Sequence, residues 1–302
     1  MSFITRFAPS PSGPLHLGHA YSAVLAHDMA RKAGGTMHLR IDDLDAARSR
    51  PEWEAQILDD LRWLGVTWPE PVWRQSERLP RYRAALADLW ARGLLYPCTC
   101  TRADIRAAAS APQEGAPLAG PDGIVYPGTC RPARPPAGPL PDAPLRLDTG
   151  RALALAGGVL SFTETGAGPD GETGSIPLMN LEDSVGDVAL ARAGSGASYH
   201  LAIVCDDADQ GVTHVIRGRD LFAATAIHVL LQRLFGHATP TYHHHRLIRD
   251  GAGRRLAKRD DARAIATYRD EGLTPANIRR MVGLTPAPGV SISTSSPPRN
   301  AV

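Results

Sequence analysis

Residues 5–19 read TRFAPSPSGPLHLGH, in which a short apolar strand leads through a turn into a helix that opens on two histidines. His16 and His19 are three residues apart, so on a first helical turn they lean to one side, beside backbone N–H groups that lack partners within the helix. Those donors and the positive end of the helix dipole attract phosphate. Gly18 removes a side chain between the histidines, so a triphosphate or an adenine ring could lie against the backbone. The stretch therefore predicts a site for the phosphates of a nucleotide.

Strands alternate with helices on either side of this turn. The apolar patterns predict strands at residues 4–7, 37–41, 201–205 and 214–217, and helices at about 17–33, 51–64, 79–92 and 221–235. This alternation predicts an α/β fold with a mostly parallel sheet. The second strand ends in the acidic run DDLD at residues 42–45, at the sheet edge where open α/β sheets bind ligands.

Composition predicts a globular chain without membrane segments. The 302 residues carry a formal charge of only +2, and no stretch approaches eighteen consecutive apolar residues. MSFITR at the start lacks a basic, apolar signal peptide, so we expect a cytoplasmic protein. Lysine occurs only at Lys32 and Lys258, while arginine is abundant. Four cysteines in such a chain indicate thiols or a metal rather than disulfides, and Cys205, within an apolar run, is interpreted as a core residue.

A second basic feature is RRLAKR at residues 254–259, in a loop that follows DGAG. Together, the histidine turn and this loop resemble the His-Ile-Gly-His and Lys-Met-Ser-Lys-Ser signatures of class I aminoacyl-tRNA synthetases. Arg, Ala and Arg at positions 255, 257 and 259 depart from the commonest letters, whereas Lys258 keeps the position that matters most for ATP. A mobile basic loop could neutralise the charge that develops as pyrophosphate leaves. The resemblance implies that His16, His19 and Lys258 are catalytic, and that ATP is bound by His16, Gly18, His19, Arg255, Leu256, Ala257, Lys258 and Arg259.

The amino-acid substrate is indicated by RFAPSPSG at residues 6–13, which closely resembles the opening of glutamyl-tRNA synthetases and of the glutamine enzymes derived from them. RIDDLD at 40–45, YHLA at 199–202 and VIRG at 215–218 resemble further motifs of that family. Asp42 stands where Glu is usual, and Ile203 where Asn is usual. The resemblance implies glutamate contacts from Arg6, Phe7, Ala8, Pro9, Ser10, Asp42, Tyr199 and Arg217. Two arginines and one carboxylate complement the two carboxylates and one amine of glutamate, whereas glutamine would leave one arginine unpaired.

Three cysteines, Cys98, Cys100 and Cys130, lie in a stretch rich in Pro, Gly and Ala. Three thiolates cannot close a tetrahedral zinc site alone, so a fourth ligand is needed. Cys-x-Cys followed by Tyr-x-x-x-Cys resembles the pattern of glutamyl-Q tRNA(Asp) synthetases, which implies one structural Zn²⁺ held by Cys98, Cys100, Tyr126 and Cys130. Asp122, Glu114 or water are alternatives to the tyrosine.

The resemblance spans about residues 4–270, and 43 residues follow Arg259, too few for the helical anticodon-binding region of discriminating glutamyl-tRNA synthetases. It implies a monomer that activates L-glutamate with ATP and Mg²⁺ without needing tRNA, and then esterifies glutamate onto queuosine in the anticodon of tRNA(Asp). Two alternatives are a ligase that charges a tRNA acceptor end and a catalytically inactive RNA-binding paralogue.

The same resemblance implies a Rossmann-type parallel sheet with an inserted zinc-binding, acceptor-type subdomain and a short helical C-terminal part. The predicted divisions are the first half of the nucleotide-binding catalytic domain (1–96), the cysteine-containing insertion (97–145), the rest of the insertion with the second catalytic half (146–235), the basic loop with a short helical part (236–285) and a disordered tail (286–302). His243, His244 and His245 are interpreted as a strand end near the active site with no metal, because consecutive residues on a strand cannot all face one ion.

Overall fold

A computed structural model describes residues 2–109, 119–192, 196–249 and 263–284. The predicted basic loop at 255–259, Glu114 and the tail at 286–302 lie outside these residues. The strands are β1 (Ile4–Phe7), β2 (Thr36–Ile41), β3 (Trp73–Arg74), β4 (Leu95–Pro97), β5 (Leu145–Leu147), β6 (Ser161–Glu164), β7 (Gly174–Pro177), β8 (Ala189–Ala191), β9 (His214–Gly218) and β10 (Thr241–His245). The helices are α1 (Leu17–Lys32), α2 (Pro51–Trp63), α3 (Leu79–Ala91), α4 (Arg102–Ala109), α5 (Thr149–Ala156), α6 (Leu181–Val185), α7 (Tyr199–Asp209), α8 (Thr225–Phe235), α9 (Ile265–Asp270) and α10 (Pro275–Met281).

Parallel strands form the centre of the molecule, which confirms the predicted α/β class. β1 pairs with β2 and β2 with β3, while β10 pairs in parallel with both β9 and β6. The two groups of strands meet beside β1, where the backbone N–H of Thr213 donates to the carbonyl of Ile4 at 2.9 Å. Because parallel strands end at one edge, the residues that follow β1, β2, β9 and β10 are brought close together.

A smaller antiparallel sheet accompanies the parallel strands. β5 pairs with β4 on one side and β8 on the other, and its side chains join the larger hydrophobic core. The cysteine-containing stretch leaves this sheet after β4 and packs around a separate small cluster of Tyr96, Cys98 and Tyr126. No helix of the described part of the chain is long and apolar enough to span a bilayer.

The prediction of a strand at residues 201–205 is wrong, because these residues lie within α7. The side chain of Ser198 caps this helix by accepting the N–H of Leu201, and every residue from 200 to 207 is buried. A continuous apolar run fits a helix that is buried on several sides as well as it fits a buried strand, so periodicity alone does not separate them. Tyr199 consequently stands at the start of a helix rather than on a strand. The helix predicted from residue 221 starts at Thr225, after a short 3₁₀ turn at Arg219–Leu221.

A network of buried charges joins α7 to the parallel strands. Arg40 at the end of β2 is fully buried, and it donates to Asp42 at 2.9 Å and to Asp207 of α7 at 2.8 Å. Arg6 of β1 donates to the two carboxylate oxygens of the same Asp207 at 3.1 and 3.0 Å. Neighbouring Asp206 is fully buried as well and accepts from Gln75, Arg78 and Tyr82. Each carboxylate therefore has the partners that a buried charge requires.

Replacing Arg40 should test how far the fold depends on this network. We expect Arg40→Met to lower the free energy of unfolding by about 3–5 kcal/mol, because it leaves Asp42 and Asp207 buried beside fewer partners. Arg48→Met is the control, since Arg48 is exposed and its pair with Asp45 should contribute less than about 1 kcal/mol. Urea unfolding of both variants measures the difference, and equal losses would contradict the structural role given to Arg40.

Candidate active site

A cavity of about 400 Å³ opens at the carboxyl edge of the parallel strands. It is lined by eleven of the residues predicted as ATP or glutamate contacts: Arg6, Phe7, Ala8, Pro9, Ser10, His16, Gly18, His19, Asp42, Tyr199 and Arg217. The remaining predicted contacts, Arg255, Leu256, Ala257, Lys258 and Arg259, lie outside the described residues. The structure thus brings together residues that are more than two hundred positions apart in the sequence, such as Arg6 and Arg217.

The histidine turn forms one wall of the cavity. His16 is extended and caps α1, its Nδ1 accepting from the N–H of Gly18 at 3.1 Å, and Nδ1 of His19 accepts from the N–H of His16 at 3.3 Å. In their neutral forms both rings therefore carry the proton on Nε2. The rings stack with their centroids 3.8 Å apart. A side chain at Gly18 would bring its Cβ within 2.9 Å of the His16 ring, so glycine is required for this stack as well as for an open backbone.

Asp42 also lines the cavity and is tied to the loop after β1. Its backbone N–H donates to the carbonyl of Pro9 at 3.0 Å, and the hydroxyl of Ser10 donates to the Asp42 carbonyl at 2.6 Å. Burial raises the pKa of the Asp42 carboxyl to about 6, because desolvation, with help from Asp206 and Asp207, outweighs the pairing with Arg40. A cationic ligand would stabilise the ionised form of a carboxyl group that is buried in this way.

Two buried arginines face the cavity in different electrostatic states. Arg6 uses its Nε to bind Asp207, and its Nη atoms make no hydrogen bond within the described chain. Arg217 donates Nε to His244 and Nη1 to His228, each at 3.0 Å, and Nη2 to the hydroxyl of Thr225 and the carbonyl of Leu221. Arg217 is buried, with only 6% of the residue exposed. Among the described residues no carboxylate forms an ion pair with it. A buried cation without a carboxylate partner favours an anionic ligand.

The residues that hold Arg217 were not identified from the sequence. His228 and Thr225 come from α8, and His244 from β10, where its Nδ1 lies 2.5 Å from Glu164 of β6. The interpretation of residues 243–245 as a strand end near the site is confirmed, since β10 ends at His245, which lines the cavity and contacts Ser22 of α1 at 2.8 Å. The histidine run was a visible signal, whereas nothing in the spacing of His228 from Arg217 indicated a contact.

The cysteines form a second candidate site. The Sγ atoms of Cys98, Cys100 and Cys130 lie within 4.8 Å of one another, and the Tyr126 hydroxyl lies 3.5 and 3.4 Å from the first two. Sulfurs of a tetrahedral zinc site are about 3.8 Å apart, given bonds of about 2.3 Å. The Cys100 and Cys130 sulfurs are 3.3 Å apart, close to that value. The group is therefore compatible with a metal site.

The surroundings of the cysteines distinguish the possible fourth ligands. Tyr126 is buried among the three cysteines and accepts the N–H of Cys130 at 2.8 Å. Arg146 donates Nε to Cys98 Sγ at 3.2 Å, with its guanidinium 3.9 Å above the Tyr126 ring, which suits an anionic ligand set. Asp122 instead lies 3.4 Å from both Arg192 and His200. The contacts favour Tyr126 over Asp122.

Comparison with known proteins places this geometry among tRNA synthetases. Residues 2–118 and 173–294 match the family described as tRNA synthetases class I (E and Q), catalytic domain. The chain is 63% identical to the glutamyl-Q tRNA(Asp) synthetase of Rhodobacter capsulatus over 93% of this chain and 100% of that one. It is 43% identical to that of Symbiobacterium thermophilum, over 90% and 83%.

Among solved structures, a glutamate tRNA ligase from Elizabethkingia meningosepticum in complex with its amino acid superimposes with a TM-score of 0.69 at 27% identity. The superposition covers 94% of this chain and 61% of that ligase, so the present chain spans less than two thirds of its length.

The raised pKa of Asp42 gives a test by pH. A carboxyl whose pKa is higher in the folded than in the unfolded state stabilises the fold at low pH, and this contribution is lost as the pH rises through the folded value. With a folded pKa of about 6, we expect the stability of the unmodified protein to fall by about 2 kcal/mol relative to Asp42→Asn between about pH 4 and pH 7.

Urea unfolding across this range measures the difference, because residue 42 can titrate only in the unmodified protein. Asp45→Asn is the control, since the exposed Asp45 is paired with Arg48, which lowers its pKa. A stability difference for Asp42→Asn that does not change with pH would mean that Asp42 is ionised throughout.

Proposed function

The chain belongs to the class I tRNA synthetases for glutamate and glutamine (E and Q), and from this premise we propose that it activates L-glutamate with ATP and transfers the glutamyl group to queuosine in tRNA(Asp). The observation that carries the proposal is the shared cavity, in which a turn suited to phosphate faces two arginines and a carboxylate suited to glutamate. The 63% sequence identity of the chain to the glutamyl-Q tRNA(Asp) synthetase of Rhodobacter capsulatus supports the choice of queuosine as acceptor.

Each substrate group has a partner in the proposed site. Arg217, which has no ion pair with a described carboxylate, and the Nη atoms of Arg6 attract the two carboxylates of glutamate, and Asp42 attracts its ammonium group. Phe7, Ala8, Pro9, Ser10 and Tyr199 shape the space between these charges. Neutral glutamine would leave one desolvated arginine without an anion, at a cost of about 1–3 kcal/mol or more. The cavity therefore favours glutamate.

The reaction uses the histidine turn for the nucleotide. The glutamate α-carboxylate attacks the α-phosphorus of ATP, and the bond to the leaving pyrophosphate breaks. His16, His19 and Lys258 would stabilise the charge on the pyrophosphate, and Mg²⁺ bound with ATP would neutralise part of it. A hydroxyl of the queuosine cyclopentenediol then attacks the glutamyl carbonyl and AMP leaves, with the hydroxyl proton released to solvent. Preorganised donors stabilise the charge that develops on the phosphates. No covalent bond to the enzyme is needed.

Activation is tested by glutamate-dependent ATP–pyrophosphate exchange without tRNA. We expect His19→Ala and Lys258→Ala each to lower the exchange rate roughly 10²–10³-fold, the range for losing one transition-state donor. Lys32→Ala is the matched control, since Lys32, the other lysine of the chain, is exposed at the end of α1. Unchanged exchange in both active-site variants would overturn the assignment of these residues.

The acceptor is tested with three RNAs: tRNA(Asp) that carries queuosine, tRNA(Asp) that lacks it, and tRNA(Glu). Glutamate transfer confined to the first supports the proposal. Charging of tRNA(Glu) would identify the chain as a ligase for an acceptor end, which the likeness to a glutamate tRNA ligase keeps as the second candidate. RNA binding without exchange would identify an inactive paralogue.

We further propose that Cys98, Cys100, Tyr126 and Cys130 hold one structural Zn²⁺. The sulfur separations and the buried tyrosine support this set, and a metal would staple a stretch that has little apolar content of its own. In this proposal the zinc ion has a structural role only, and the residues of the cavity carry out the reaction.

Metal content tests this site independently of activity. We expect about one zinc per chain by elemental analysis, and loss of most of it in Cys130→Ser, with a lower melting temperature because binding energy contributes to folding. Cys205→Ser, in α7, should retain the metal. Tyr126→Phe should release zinc to a chelator faster than Asp122→Asn does, and the reverse order would make Asp122 the fourth ligand.

A further inference from the structure

The cradle of Arg217 consists of two imidazoles whose protonation is fixed by a chain of hydrogen bonds. Since a guanidinium only donates, Nε2 of His244 and Nδ1 of His228 must both accept from Arg217. The proton of His244 then resides on Nδ1 and is donated to Glu164 at 2.5 Å. The proton of His228 resides on Nε2 and is donated to Nδ1 of His200 at 3.1 Å.

This chain of hydrogen bonds continues from His200 of α7 to the cysteine-containing stretch. Because Nδ1 of His200 accepts, its Nε2 carries the proton and faces Asp122 at 3.4 Å. The arrangement runs from Asp122 through His200 and His228 to Arg217, and from Arg217 through His244 to Glu164. All three histidines are at least nine-tenths buried. The series of hydrogen bonds thus ends in a carboxylate on each side, and neutral imidazole rings separate each carboxylate from the guanidinium of Arg217.

Neutral acceptors have a different effect on an arginine from carboxylates. Asp207 accepts the Nε–H of Arg6 and also cancels much of the charge of that guanidinium. His228 and His244 satisfy the N–H groups of Arg217 and fix its orientation, but leave the positive charge for a ligand. Burial and the neighbouring guanidinium hold the pKa of His228 well below its ordinary value, and burial lowers that of His244, which keeps both rings neutral.

We propose that His228 and His244 are positioning residues that set the preference for an anionic side chain, by holding Arg217 through neutral nitrogen acceptors and so reserving its charge for the substrate carboxylate. The inference rests on the proposed function, because Arg217 is taken to hold the side-chain carboxylate of glutamate. Neither histidine lines the cavity, so they act through Arg217.

The decisive comparison is His228→Asp against His228→Asn. Both side chains can place an oxygen near the position of Nδ1 and have nearly the same volume, and they differ in charge and in the NH₂ donor of asparagine. An aspartate would pair with Arg217 inside the protein, so we expect KM for glutamate to be at least about tenfold higher than in His228→Asn, a tenfold change being 1.4 kcal/mol. The ratio of glutamate to glutamine activation should fall in parallel, with a smaller difference in kcat.

Stability provides a readout that separates this role from a purely structural one. The new ion pair should give His228→Asp a melting temperature without substrate above that of His228→Asn, so the variant that folds better should bind glutamate less well. Equal KM values and equal selectivity in the two variants would overturn the inference. Absence of exchange in the unmodified protein would instead count against the proposed function.

A second pair decides the matter if His228→Asp does not fold. His244→Gln can keep an acceptor near the position of Nε2, whereas His244→Met fills a similar volume without a nitrogen or oxygen acceptor. We expect a rise in KM for glutamate mainly in His244→Met, by about tenfold or more relative to His244→Gln. Equal effects of the two substitutions would overturn the role given to His244.

Discussion

Asp207 accepts hydrogen bonds from both Arg6 and Arg40, and this shared carboxylate connects the first two parallel strands to α7. A buried carboxylate of this kind is stable only while its partners stay in place, so it fixes the relative positions of three elements that are distant in sequence. The loop after β1, Asp42 and the start of α7 all border the cavity. Their relative positions therefore depend on the hydrogen bonds of Asp207, which does not itself line the cavity.

The three buried arginines at this edge have the same chemistry but different partners. Arg40 is surrounded by carboxylates and serves the fold. Arg6 lines the cavity and shares the carboxylate of Asp207 through its Nε, while its Nη atoms make no hydrogen bond within the described chain. Arg217 is held by imidazoles, a hydroxyl and a carbonyl. All three guanidinium groups are buried, so burial does not distinguish them. The partner of each one decides whether its charge is neutralised within the protein or remains available to an anionic ligand.

The two candidate sites are physically connected. Asp122 belongs to the stretch that also carries Tyr126, and through His200 and His228 it reaches the cradle of Arg217. Arg146 beside Cys98 and Tyr126 also donates to the carbonyl of Asp187 at 2.7 Å, whose carboxylate accepts from Arg131. The cysteine cluster is thus anchored to the core by hydrogen bonds where apolar contacts are few.

Local patterns were enough to predict much of this protein. The start of α1 at the histidine turn, the strands β1, β2 and β9, and the helices at Pro51 and Leu79 follow from short-range spacing and punctuation by Pro and Gly. The motif resemblance gathered the cavity residues, because each of these motifs lies where a strand ends or a helix begins beside the cavity. The run at residues 201–205 was misassigned, since a segment buried on all sides shows no period by which a helix differs from a strand.

The sequence by itself determined which charged and small residues are available and which elements carry them. Only the tertiary structure decided what each charge contacts: Asp207 with Arg6 at a separation of 201 residues, and Glu164 with His244 at 80. The reason is that spacing rules act over one or two turns or along one strand, whereas the state of a buried charge depends on groups that meet it through space. Nothing in the sequence distinguishes the charge of Arg6 from that of Arg217. In the folded protein Arg6 is paired with Asp207, whereas Arg217 has no carboxylate partner in the described chain.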